Sequence, residues 1–158
     1  MIQGFTHLHN ALRWVVIIFA IYAIIQLLSG KNQNRPFTNK DRRPVLLYMI
    51  FLDIQLLLGA ALFFMGNWGL NNIKNAGMGT VMKNDVSRFF AIEHTIGMLL
   101  AIILAHIAHA FTKKDMSDQD KFSKTLYLVA ASIVVILMFI PWPFRDAARP
   151  LFPGMNVN

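Results

Sequence analysis

The sequence predicts an all-α fold: an integral membrane four-helix bundle, a single transmembrane domain over 1–158, with both termini on one, outer side. Three observations carry this. The chain of 158 residues is 56% hydrophobic with a mean hydropathy of +0.48, above the roughly 45–50% apolar share of soluble domains. Four apolar runs, at 9–28, 45–65, 89–111 and 125–140, approach the ~20 helical residues that a bilayer core takes. The cations collect between these runs. Of fifteen Lys and Arg, nine lie in the connections from run 1 to 2 and from 3 to 4, and six elsewhere. An excess of Lys and Arg marks cytoplasmic loops, which leaves the termini outside.

The elements follow in order. Residues 1–11 are short and polar enough to rest at a membrane surface, so the first helix is expected to start near His9, with Thr6 or Asn10 as its cap. That run is apolar to Leu28 apart from Arg13, Tyr22 and Gln26. No basic segment precedes it and no small-residue cleavage site follows, so it does not read as a cleaved signal. Ser29 to Pro44 is a basic loop. The second run carries Asp53 and Gln55, and Gly66 to Ser87, rich in Gly and Asn, reads as an irregular loop with Trp68 at the interface. The third run carries Glu93, His94, His106 and His109; the fourth has no ionisable residue and stops at Pro141-Trp142-Pro143.

Several function classes fall away. Net charge is +7, but the cations alternate with apolar runs instead of forming one basic face, so nucleic acid is not an expected partner; membrane lipid is. With no cysteine, disulfides, iron–sulfur clusters and thiolate metal sites are excluded.

Ionisable groups at membrane depth are costly and mark function by default. Counting back from the inner helix ends, Leu28 to His9 is ~28 Å and Phe111 to His94 is ~26 Å at about 1.5 Å per residue. Two histidines on different helices thus fall at one level, which suits bis-histidine ligation of one haem b. His7 is the alternative to His9; the two diverge by ~200° on a helix, so only one can face the site. Arg13 and Arg88 sit at the right level for haem propionates. Gly97, Ala101, Ala105 and Ala108 form a small-residue stripe that can admit a flat ring or pack a helix. Asp53, Glu93 and His106 are candidates for a proton path. Asp53, His106 and His109 can instead form a polar cluster or a weak metal site; a second haem is not expected there, since no other helix offers a histidine at that level and only a methionine such as Met49 or Met138 could oppose one.

The segments His7-Leu-His9-Asn-Ala-Leu-Arg13-Trp14, Gln55-Leu-Leu-Leu-Gly59, Arg88-Phe-Phe-Ala-Ile-Glu93-His94-Thr-Ile-Gly97-Met98 and Ile140-Pro-Trp-Pro-Phe-Arg145 resemble the small four-helix bacterial membrane proteins labelled "cytochrome b". The likeness spans nearly the whole chain. It implies a multi-pass protein of the bacterial inner (cytoplasmic) membrane that holds haem b and passes electrons between a quinone and another redox partner. The architecture is more loosely similar to b561-type proteins, but helices 2 and 4 lack histidine, so only His9 (or His7) and His94 carry over as ligands. Whether the chain is an enzyme stays open.

Three readings result. The first is haem b electron transfer, alone or as a subunit of a respiratory-type complex. The second is a cofactor-free accessory subunit that packs in a larger membrane assembly or a homo-oligomer. The third is a proton or metal-ion conductor built on Asp53, His106 and His109.

Overall fold

The computed structural model describes residues 2–152. Among them every regular element is helical, and four helices are long and apolar enough to cross a membrane. In order they are α1 (Ile2–Asn32), α2 (Asn39–Met65), three short helices α3 (Leu70–Ala76), α4 (Met78–Lys83) and α5 (Asp85–Arg88), a π-turn (Phe89–Glu93), α6 (His94–Phe111) and α7 (Asp118–Phe139). α1, α2, α6 and α7 pack as a closed ring of antiparallel neighbours. The start of α1 and the end of α7 therefore lie at one end of the bundle, here the histidine end.

Several boundaries differ from the expected ones. α1 begins at Ile2, so Thr6 and Asn10 lie inside it and cap nothing; Thr6 Oγ1 instead donates to the Ile2 carbonyl one turn back. Polarity had marked residues 2–11 as separate, but no proline interrupts them, and hydrogen bonding propagates through. α2 starts at Asn39 because Thr38 accepts from the Lys40 amide while Asp41 accepts from the Thr38 amide, a capping box. Pro44 follows in the second turn. α7 starts at Asp118, where Ser117 accepts from the Asp120 amide and Asp118 and Asp120 suit the positive helix end. The segment 66–87, expected to be irregular, is instead three short helices broken at Gly77 (φ 80°) and Asn84.

Residue spacing explains the packing. α1 buries Asn10, Arg13, Val16, Ala20, Ala23, Leu27 and Gly30, and α7 buries Phe122, Thr125, Val129, Ser132 and Ile136. Steps of three and four residues make one stripe that runs nearly parallel to a neighbouring helix. At the end opposite His9 and His94 the Phe122 ring lies on Gly30, where a Cβ would overlap it. Fully buried Asp41 takes both guanidinium nitrogens of Arg35 (2.6 and 2.8 Å) together with the Thr38 amide and hydroxyl. That carboxylate raises the Arg35 pKa above its ordinary value, chiefly through these hydrogen bonds.

One polar chain crosses the core. The Ser132 hydroxyl donates to the Ala101 carbonyl (2.7 Å), and Tyr48 lies 2.7 Å from the same Ser132 oxygen. Ser132 has a single proton, so Tyr48 is the donor in the second bond. Helices α2, α6 and α7 are joined by these two hydrogen bonds, which pair the Tyr48 and Ser132 hydroxyls and the Ala101 carbonyl.

Candidate functional site

The site begins with two missing amides. In a continuing helix the carbonyls of Leu137 and Phe139 would accept from residues 141 and 143, but both are proline and carry no N–H. Each freed carbonyl finds a side chain. Leu137 accepts from Trp142 Nε1 (2.8 Å), and Phe139 lies 2.8 Å from His94 Nδ1. A carbonyl can only accept, so Nδ1 of His94 carries the proton and Nε2 keeps its lone pair. A histidine held in this way through one nitrogen has the other free to bind a metal.

The π-turn directs the same residue. The His94 amide bonds to the Phe89 carbonyl five residues back, Thr95 Oγ1 donates to Phe90, and the Arg88–Glu93 pair (2.7 Å) also spans five residues. On an ideal α-helix residues five apart diverge by ~140°; the extra residue in the turn reduces this. The rings of Phe89 and His94 accordingly lie 5.9 Å apart.

His9 approaches from α1. Its ring centroid is 6.2 Å from that of His94, with the planes at 72°. α1 is helical through both His7 and His9, and His9 is the one turned toward His94. Gln55 Nε2 of α2 donates to the His9 carbonyl (2.8 Å), and the His9 ring stands beside Gly59, with Cε1 3.5 Å from where a Cβ would sit. His9 Nδ1 and Gln55 Oε1 are buried without a hydrogen-bond partner. Buried polar groups are almost always paired, so the unpaired His9 nitrogen, in a ring that faces His94, fits a donor to a ligand.

These donors can be tested against haem. A metal bonded at about 2.0–2.1 Å to each of two imidazoles holds their centroids roughly 6–6.5 Å apart, which brackets the observed spacing. Among the described residues no group of three or more His, Asp or Glu side chains is arranged to hold a metal ion. A bare ion needs three or four protein ligands, whereas haem iron needs only the axial ones. The helix beside the pair is less buried toward this end: α2 buries Asp41, Pro44, Val45, Tyr48 and Leu52 but no residue from Asp53 to Met65. The donor set fits.

Several of the other sequence candidates have partners within the chain. Arg13 donates to the carbonyls of Pro150 (3.0 Å) and Leu151 (2.6 Å), and Trp14 Nε1 to Leu151 (2.8 Å). Arg88 pairs with Glu93 and Asp85 and donates to the Met82 carbonyl. Gly97 is covered by the Phe139 ring, Ala101 meets Ser132, and Ala105 and Ala108 are fully buried farther along. The stripe is thus the face that packs on α7. At the other end His106 Nε2 lies 2.8 Å from Asp53 Oδ1, while His109 is turned inward with Nδ1 unpaired. Met138 is exposed and Met49 is half-buried.

A strap over the histidine end was not foreseen. Residues 141–152 cross it, tied to α1 by Arg13 and Trp14, with the Phe152 ring stacked on Trp14 at 5.4 Å. The Arg149 guanidinium lies 4.5 Å from the Phe90 ring centre and 5.7 Å from that of Trp68, and Arg145 lies 5.9 Å from Phe89. Burial pushes the Arg149 pKa down from its ordinary value. The available signal was an arginine pair after Pro-Trp-Pro, opposite aromatic residues on the same side. Comparison with known protein families, with curated proteins and with solved structures gives no match to this chain.

Proposed function

We propose that this chain is a multi-pass membrane protein that binds one haem b through His9 and His94 and serves quinone-linked electron transfer. The observation that carries the reading is the imidazole pair itself: two rings at metal-bridging spacing, one held by the Phe139 carbonyl with Nε2 free, the other with a buried unpaired nitrogen. Held by His9 and His94, haem would supply a one-electron couple. The chain's residues do the rest. Phe139 fixes the His94 tautomer, Gln55 ties α2 to His9, and the strap of 141–152 is tied to α1 at this end by Trp14. The charge distribution favours the histidine end as the outer one, in a bacterial cytoplasmic membrane.

The experiment is the haem content of protein purified from haem-replete cells. One haem per chain is the expected value, and none overturns the reading. A second reading, a cofactor-free accessory subunit, draws support from the internal partners of Arg13, Arg88 and Gly97. It is favoured if the chain co-purifies stoichiometrically with another membrane protein and contains no iron.

A further inference from the structure

The end of the bundle away from His9 and His94 gathers the cations, and three elements bring two of them to one cleft. The approach to α2, the end of α6 and the start of α7 border a space of about 370 Å³, lined by Phe37, Thr38, Asn39, Arg42, Thr112 and Lys121. Arg42 and Lys121 are half-buried there, whereas Lys40, Arg43, Lys113, Lys114 and Lys124 are exposed. Among the described residues no carboxylate lines the cleft, and neither Arg42 nor Lys121 belongs to an ion pair. Asp41, next to Arg42 in sequence, is fully buried and taken by Arg35.

Chemistry and depth together say what the cleft takes. The hydroxyl protons of Thr38 and Thr112 go to Asp41 and to the His109 carbonyl, so neither hydroxyl donates into it. The donors that remain are the charged ones of Arg42 and Lys121 and the side-chain amide of Asn39. That set is complementary to a phosphate group, an anion with several acceptor oxygens. Arg42 lies just before the apolar run that begins at Val45, Thr112 just after the one that ends at Phe111, and Lys121 one turn before the one that begins at Thr125. At ~1.5 Å per residue all three fall within about 6 Å of the hydrocarbon boundary. The headgroup layer is roughly 5–7 Å deep on each side of a bilayer. The space is larger than one phosphate and lies in the size range of small-molecule sites. Phe37, whose ring lies 4.9 Å from that of Phe122, gives it an apolar wall.

We infer that this cleft binds the phosphate of an anionic phospholipid, held by Arg42, Lys121 and Asn39. Headgroup depth and the Phe37 wall select a lipid over dissolved phosphate, and two unpaired cations select an anionic lipid over a zwitterionic one. Basic pockets between membrane helices bind anionic head groups in this way. The inference does not depend on haem.

The test is thermal unfolding of the purified full chain in detergent, titrated with phosphatidylglycerol or with phosphatidylcholine. Phosphatidylglycerol is expected to raise the unfolding temperature saturably, and phosphatidylcholine to leave it nearly unchanged. Arg42→Gln with Lys121→Gln is expected to weaken the apparent affinity for phosphatidylglycerol about 30-fold, as the loss of two cations at headgroup level implies. Arg43→Gln with Lys113→Gln removes the same charge from exposed positions and is expected to leave that affinity nearly native. Arg42→Lys with Lys121→Arg keeps both cations and is expected to retain binding, which separates lost contacts from failed folding. Equal weakening by the two glutamine pairs would overturn the inference, since it would reduce the effect to overall charge. So would equal stabilisation by phosphatidylcholine, or by inorganic phosphate, which would assign the cleft to a dissolved anion.

Discussion

Nδ1 of His94 donates to the carbonyl oxygen of Phe139 at 2.8 Å, a carbonyl that Pro143 has released from helix bonding. A backbone break in the fourth long helix thereby sets the tautomer of a side chain on the third. His94→Asn and His94→Leu separate the two roles of this residue. Asn offers an amide N–H close to the position of Nδ1 and is expected to keep the bond to Phe139, with stability near that of the native chain. Leu leaves the part-buried Phe139 carbonyl unpaired, at a cost of about 1 kcal/mol. Thermal unfolding in detergent of the two variants checks this. A purely structural histidine gives the same order of stability but no loss of bound metal in the Asn variant.

The core chain Tyr48–Ser132–Ala101 responds unequally at its two ends. Ser132→Ala strands the Tyr48 hydroxyl in the core and is expected to destabilise by about 1–3 kcal/mol. Tyr48→Phe removes only a donor to an oxygen that is still engaged with Ala101, and is expected to cost ~0.5–1 kcal/mol. Denaturant titration of both variants gives the order; equal costs would mean that Tyr48 has another partner.

Gly97 has no room for a side chain under the Phe139 ring. Gly97→Ala is expected to destabilise by about 1–3 kcal/mol through overpacking and to loosen the hold of Phe139 on His94. Pairing it with Phe139→Leu is expected to recover part of the loss, since the obstruction is the ring. Thermal shifts of the single and double variants measure the coupling.

Much of the frame was legible because a bilayer imposes simple rules. Length and hydropathy marked four spans, and helical rise put His9 and His94 at one depth before any contact was visible. The same arithmetic allowed Asp53 to approach His106. What was hidden depended on non-local partners. Whether Gly97 and Ala101 face a flat ring or a helix is decided by where α7 lies, and its Phe139 occupies that space. Arg13 was at the right level for a propionate, yet carbonyls of Pro150 and Leu151, ~140 residues onward, receive it. The π-turn at Phe89–Glu93 has no compositional signature. The helix over residues 2–11 was obscured by polarity, which bears on burial more than on helix formation.

The tautomer and spacing of the imidazoles yield a further expectation. His7→Ala leaves the His9–His94 pair intact and is expected to leave haem retention unchanged. His9→Ala, which removes one axial donor, is expected to abolish stable retention. Haem-to-protein ratios after identical purification compare them directly, and loss confined to His7→Ala would reassign the α1 ligand.

The most direct measurement is the visible absorption spectrum of the membrane-extracted protein, recorded oxidised and then reduced, for the native chain and for His94→Asn. The expected result is a reducible b-type spectrum in the native protein that is absent from the folded His94→Asn variant. A colourless native protein from haem-replete cells, or an unaltered spectrum in His94→Asn, would contradict it.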